Sequence, residues 1–409
     1  MTSWVPGADG SGFPAEHLPY GVFVELDGAG RRSARVGVRI GEHVLDLARL
    51  AEDGLVAGPF DQPSLNGFMA AGAAAWREVR SRLTELVGDD TWRSRVEPAL
   101  LPLDAVELLL PFTVADYVDF YSSIEHATNL GRLFRPDSPP LLPNWRHLPV
   151  AYHGRAGTVV VSGTPVVRPR GQRRPLGGDV VFGPTERLDI ELEVGFVIGA
   201  GSSPGRPVPV GEAPDHVFGV VLVNDWTARD IQAWEYQPLG PFLGKSFATS
   251  IGAWVTPLAA LDGCRVAGPP QDPAPLPYLA RSAPWGLDLD LSVELNPAGA
   301  GTGPQIVSST GFDAVYWTFP QQIAHLTVNG AHLRVGDLLA SGTVSGPSRG
   351  SEGSFIELTR NGAEPLTVGG VTRSFLADGD EVVLRASADL PGGPTLTLAE
   401  VRGHILLTS

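Results

Sequence analysis

Glu191 and Glu193 stand two residues apart in the run LDIELEVGFVI at 188–198, and that spacing could hold a metal ion. Ile190, Leu192, Val194, Phe196 and Ile198 alternate along it, as in a half-buried β-strand with one apolar face. The opposite face then carries Asp189, Glu191 and Glu193. Side chains at i and i+2 of a strand project the same way, roughly 6.6–7 Å apart at Cα. Two carboxylates there repel each other, and a divalent cation between them would turn the repulsion into attraction. For this run alone, a solvated acidic face is the plainer reading and a metal site the bolder one.

Three other segments supply polar groups that packing does not require. DFYSSIEH at 119–126 contains Asp119, Tyr121 and His126. If it is helical, Asp119 and His126 share a face and Tyr121 falls elsewhere. A strand over 217–223 delivers Asn224 and Asp225, and a short helix follows near 227–234. Arg229, Gln232 and Tyr236 lie on it at i, i+3 and i+7, one helical stripe. A glycine-rich loop at 240–249 then offers Lys245 and Thr249. Finally, Ser341-Gly342-Thr343 follows one strand, and Glu357 is expected on the next, over 355–358; loops at strand ends commonly carry function.

Singly, each of these residues reads as an ordinary surface or core group. Together, Asp119, Glu191, Glu193 and Asp225 form an all-oxygen set without sulfur, which suits Ca²⁺ or Mg²⁺ better than zinc. If they converge without an ion, each like-charge pair at about 4 Å costs on the order of 4 kcal/mol at an effective dielectric near 20. The nine histidines are scattered. His147 and His153 lack the HExxH spacing of a zinc protease.

The elements that must position these groups are read from composition and pattern. The 409 residues include 50 Gly and 37 Pro, with 43% hydrophobic and 18% charged residues, a globular composition that favours a mainly β fold with short strands and short helices. Net charge is −15, which argues against nucleic acid or an anionic membrane as partner and requires local positive charge for any anionic substrate. Cys264 is the single cysteine, so an intrachain disulfide and a thiolate metal site are excluded. The first thirty residues lack an apolar stretch and no run reaches membrane-spanning length, so a cytoplasmic protein is expected.

Strands are expected at 20–26, 35–40 and 43–46. A helix follows, capped by Ser64, with Leu65, Phe68, Met69, Ala73, Trp76, Val79, Leu83 and Leu86 on its apolar stripe. Residues 101–111 suit a linker. Beyond them, further strands are expected at 158–162, 190–198, 217–223, 287–295, 337–340, 355–358 and 381–385, with a helix near 316–326.

The chain resembles the fumarylacetoacetate hydrolase family along nearly its whole length. The resemblance rests on HLPYGVF at 17–23, DFYSS at 119–123, HATN at 126–129, PNWRHLPVAYHGRAGTVVVSGTP at 143–165, NDWTARDIQAWEYQPLGPFLGKSFATS at 224–250, VNGAHLRVGDLLASGTVSGP at 328–347 and FLADGDEV at 375–382. It implies an SH3-like N-terminal domain over 1–111, a mixed β-roll catalytic domain over 112–409, and a homodimer. Carried over position by position, Asp119, Glu191, Glu193 and Asp225 would ligate Ca²⁺. Lys245 and Thr249 would stand near a Mg²⁺ site with Asp225, Lys245 through backbone oxygen or by serving the substrate. His126 would be the base and Glu357 its acidic partner. Tyr121, Arg135, Tyr152, Arg229, Gln232, Tyr236 and Thr343 would contact a small diketo acid.

The reaction implied is water attack on a diketone carbonyl, with Arg229, Gln232 and Lys245 serving the oxyanion. A related acylpyruvate as substrate is one alternative, and a non-catalytic metal-stabilised binding protein is another. Departures from the family pattern are mild. Ile124-Glu125 replaces a more basic pair, and residues 394–405 match loosely.

Overall fold

The computed structural model of the chain describes residues 2–26, 33–281 and 283–408. Two sheets dominate it. The larger has thirteen strands, and its central path runs Tyr20–Glu25, Trp254–Pro257, Val217–Asp225, Leu192–Ile198, Leu338–Ala340, Tyr117–Phe120 and Ala151–His153. Most neighbours are antiparallel, but Leu338–Ala340 runs parallel to Tyr117–Phe120, and Thr249–Ile251 parallel to Val159–Val161. The second sheet has five strands, in the order Gln305–Gly311, Asp290–Asn296, Glu381–Asp389, Thr395–Leu406 and Val166–Val167. The last long strand covers most of the segment whose family match was loose.

The strand Leu192–Ile198 lies between two cores. Leu192, Val194, Phe196 and Ile198 pack into one cluster with Leu291, Val293 and Leu384 of the second sheet. Val197 points the other way, into a cluster with Val22, Val38 and Leu338. Gly195 shares that face because a Cβ there would meet Val223 and Leu338 side chains at 2.8 and 2.9 Å. Every residue of the strand is therefore buried, which corrects the expectation of a solvated acidic face. Acids on such a strand must find partners inside the protein.

Four further expectations are corrected. The single helix after Ser64 is two, Asn66–Met69 and Gly72–Gly88, because Gly72 takes φ +84° and breaks the run. Ser64 does not cap it from the N-cap position; its hydroxyl bonds the backbone and side chain of Asn66 instead. Residues 101–111 are no plain linker, since Leu100–Pro102 pairs with His43–Asp46 and Val106–Leu109 with Tyr20–Glu25. Phe355–Leu358 is a short helix, not a strand. Among the described residues, no helix is long and apolar enough to cross a membrane.

Candidate active site

Strand register brings the acids to one end of the large sheet. Val217–Asp225 runs antiparallel to Leu192–Ile198 with Glu193 opposite Val223, so Asp225 projects beside Glu193. Ala340 pairs with Asp119, and Asp119 with Tyr152. One carboxylate oxygen from each of Asp119, Glu193 and Asp225 lies within 4.8 Å of the others, and all three residues are buried. Asp119 sits on the strand Tyr117–Phe120 and His126 in the helix Ile124–Phe134, so no single helix carries both.

Glu193 is fully buried, and neither of its carboxylate oxygens has a hydrogen-bond partner. Burial raises its pKa well above the ordinary carboxylate range, and Asp119, Asp225 and Glu191 push it the same way. Leaving a buried acid without a donor is costly. A hard cation removes that cost, and the donor set is all oxygen. Charge supports the same fit. Asp119, Asp189, Glu191, Glu193 and Asp225 are five acids ion-paired or clustered with the three bases Arg155, Arg229 and Lys245, which leaves two negative charges over.

Glu191 takes a different environment from Glu193. The extended run breaks between Leu188–Asp189 and Leu192–Ile198, so Glu191 lies outside both strands. Its carboxylate meets Arg229 Nη1 at 2.8 Å and Lys245 Nζ. Burial opposes ionisation, yet Lys245 and Arg229 hold its pKa well below the usual range. Lys245 Nζ also donates to Asp225 Oδ2 at 2.6 Å, and Thr249 Oγ1 to Asp225 Oδ1 at 3.2 Å. The ammonium therefore balances charge around the cage rather than coordinating an ion.

Arg155 was not singled out in the sequence. Its Nη2 donates to Asp119 Oδ2 at 2.8 Å and Asp225 Oδ2 at 2.5 Å. The guanidinium lies 4.6 Å from the Tyr117 ring centroid and 5.0 Å from that of Tyr152. Its backbone is left-handed, φ 60°, which points the side chain back toward the sheet end. The segment YHGR at 152–155 held this signal, but nothing in its spacing announces the fold-back.

The second cluster is built on helix termini. Ser123 caps Ile124–Phe134, its side chain accepting from the His126 N–H. Asp189, also missed as a functional residue, accepts from the N–H groups of Phe355 at 2.7 Å and Ile356 at 3.0 Å, and from Arg229 Nε at 2.7 Å. It thereby satisfies free amides at the start of the helix Phe355–Leu358, which is why that segment is helical. The helix delivers Glu357, whose Oε2 lies 2.6 Å from His126 Nδ1. Glu357 also accepts from Ser354 Oγ at 2.6 Å, Ser345 Oγ at 3.0 Å and Asn129 Nδ2 at 2.9 Å. Burial opposes ionisation, but His126 and these donors hold its pKa below the ordinary value. A charged Glu357 fixes the His126 proton on Nδ1 and leaves Nε2 as the basic nitrogen.

The Tyr121 ring stands edge-on to His126 at 5.4 Å. Arg229 is buried, its Nη1 donates to Gln232 Oε1 at 3.3 Å, and its Nη2 has no partner. Thr343 Oγ1 is likewise buried and unpartnered. Arg135 donates to the carbonyl of Pro140 at 2.9 Å, with Nε unpartnered. Tyr236 departs from its expected stripe. It sits at the C-cap of Arg229–Glu235 and is 41% exposed, because the helix ends before its last turn is covered.

Comparison with known proteins identifies the family and the fold. Residues 117–400 match the model described as fumarylacetoacetate (FAA) hydrolase C-terminal, and residues 16–111 the model described as fumarylacetoacetase N-terminal. The chain is 48% identical over 397 residues to the fumarylacetoacetases of Rattus norvegicus and Homo sapiens, covering 93% of this chain and 93% of each relative. The solved fumarylacetoacetate hydrolase of Exiguobacterium antarcticum shares the fold at a TM-score of 0.54 and 19% identity, covering 96% of this chain and 100% of that one.

Proposed function

The chain belongs to the fumarylacetoacetase family, and from that premise we propose that it is an enzyme hydrolysing a carbon–carbon bond of 4-fumarylacetoacetate to give fumarate and acetoacetate, a step of tyrosine and phenylalanine catabolism. The observation that carries the mechanism is the 2.6 Å contact of His126 Nδ1 with a charged, fully buried Glu357 beside the acid cage.

His126 Nε2 takes a proton from water as the oxygen attacks the diketone carbonyl, and the imidazolium so formed is stabilised by Glu357. The unpartnered Arg229 Nη2, with Gln232 and Lys245 nearby, supports oxyanion stabilisation. His126 then returns the proton to the carbon released when the carbon–carbon bond breaks. Arg135, with the Tyr121 and Tyr152 hydroxyls, is assigned to a substrate carboxylate, and Thr343 Oγ1 and Tyr236 to further contacts. Asp119, Glu193 and Asp225, with Glu191 beside them, would hold Ca²⁺ or Mg²⁺, which would polarise the diketone oxygens.

A cytoplasmic homodimer, divided into an N-terminal domain over 1–111 and a catalytic domain over 112–409, completes the proposal. The test is a steady-state assay following loss of fumarylacetoacetate absorbance, with and without added Ca²⁺ or Mg²⁺. Turnover that depends on the ion is the expected result, and no turnover under either ion would overturn the reading.

A further inference from the structure

A cavity of about 310 Å³ opens at the start of the strand Val217–Asp225, lined by Val217 and Phe218 and by the helix Gly72–Gly88. Val217 is separated from Asp225 by about 26 Å of extended chain, so the cavity is remote from the acid cage. Trp76, Phe218 and Trp285 give it flat apolar walls. Its charged lining is three arginines, Arg77, Arg80 and Arg265, against two aspartates, Asp215 and Asp262, an excess of one positive charge in a chain of net −15.

Two of these arginines are held in place. Arg265 lies 3.6 Å over the Trp285 ring and pairs with Asp262. Arg80 Nη1 donates to the backbone carbonyl of His17 at 2.8 Å, and Nη2 to that of Glu16. Arg77 is exposed at the rim. Tyr20 also lines the cavity. It is 2% exposed, and its hydroxyl has no hydrogen-bond partner.

We propose that this cavity binds a small planar monocarboxylate, its body between Trp76 and Trp285 and its carboxylate toward the exposed Arg77 guanidinium. The volume lies at the lower end of small-molecule sites. The Arg77 guanidinium selects the acid over an uncharged molecule of equal size.

Calorimetric titration of the intact protein with benzoate, and with benzyl alcohol as the uncharged control, tests this. Benzoate should bind, and benzyl alcohol about tenfold more weakly, a difference of about 1.4 kcal/mol. Arg77→Glu and Trp285→Leu should each weaken benzoate binding by about tenfold or more. Arg77→Glu should leave kcat/KM for the hydrolysis unchanged. The absence of benzoate binding, equal binding of the alcohol, or benzoate binding that either substitution leaves intact would overturn the proposal. A fall in kcat/KM for Arg77→Glu would overturn the separateness of the two sites.

Discussion

The His126–Glu357 pair and the Asp119–Glu193–Asp225 cage are both buried, acidic and close to each other, yet only one is complete. Glu357 accepts four hydrogen bonds from His126, Ser354, Ser345 and Asn129. Glu193 accepts none. The protein supplies everything the first cluster needs to carry a negative charge, whereas the second makes chemical sense with an ion. A fully hydrogen-bonded acid and an unpartnered one thus stand side by side in one site.

The largest expected effect tests the complete cluster. His126→Ala should lower kcat by roughly 10²–10⁴-fold, the usual worth of a general base, with circular dichroism unchanged. An active variant would sink the assignment. Next comes the incomplete cluster. Chelation should abolish turnover reversibly and lower the Tm, and the loss of Tm should disappear in Glu193→Gln, which carries no charge to neutralise.

Asp189→Asn links the two clusters, because Asp189 holds both the start of the Glu357 helix and Arg229. Weakening bonds to a buried charge costs about 1.5–3 kcal/mol, so kcat should fall by roughly ten- to hundredfold. An unchanged kcat would show that neither group needs that anchor. The smallest effect is expected at exposed Tyr236. Tyr236→Phe should change KM by no more than about twofold, since exposed contacts contribute little.

The two clusters should also respond to pH with opposite sign. Glu357 has a folded pKa below its ordinary 4.5, so it binds fewer protons folded than unfolded. Its stabilisation is present above that value and lost as pH falls through the lower, folded one. Glu193 has a folded pKa raised above 4.5. Without a cation, stability should therefore fall as pH rises from 4.5 toward the folded value, and added cation should reverse that slope. Urea titrations across pH, with and without chelator and on Glu357→Gln and Glu193→Gln, separate the two contributions. A single shared slope would show that the clusters titrate as one group.

Much of this site was legible residue by residue. Asp119, Glu191, Glu193 and Asp225 could be grouped in advance as an all-oxygen set, of which the structure brings Asp119, Glu193 and Asp225 together. The alternation at Leu192, Val194, Phe196 and Ile198 identified the strand that carries Glu193. Less legible was which face of that strand is wet, since neither is. Period-two patterning reports one apolar face and is silent when the other is buried by Gly195 and Val197. Glu357 looked like a strand residue because Phe355-Ile356 is a short apolar run. A carboxylate far away in sequence, Asp189, makes it a helix start.

By itself, the sequence determined the chemical inventory: carboxylates without thiolates to match them, a histidine, and arginines and a lysine to offset acids in a −15 chain. Local pattern determined most of the strands as well, because backbone preference and side-chain alternation act over a few residues. Only the tertiary structure decided how the acids divide, with Glu191 given to Arg229 and Lys245, and Glu193 left without a hydrogen-bond partner. It also brought Arg155 and Asp189 into the site. Those outcomes depend on sheet register, one left-handed residue and contacts across 166 positions of chain, distances over which sequence spacing carries no geometric information.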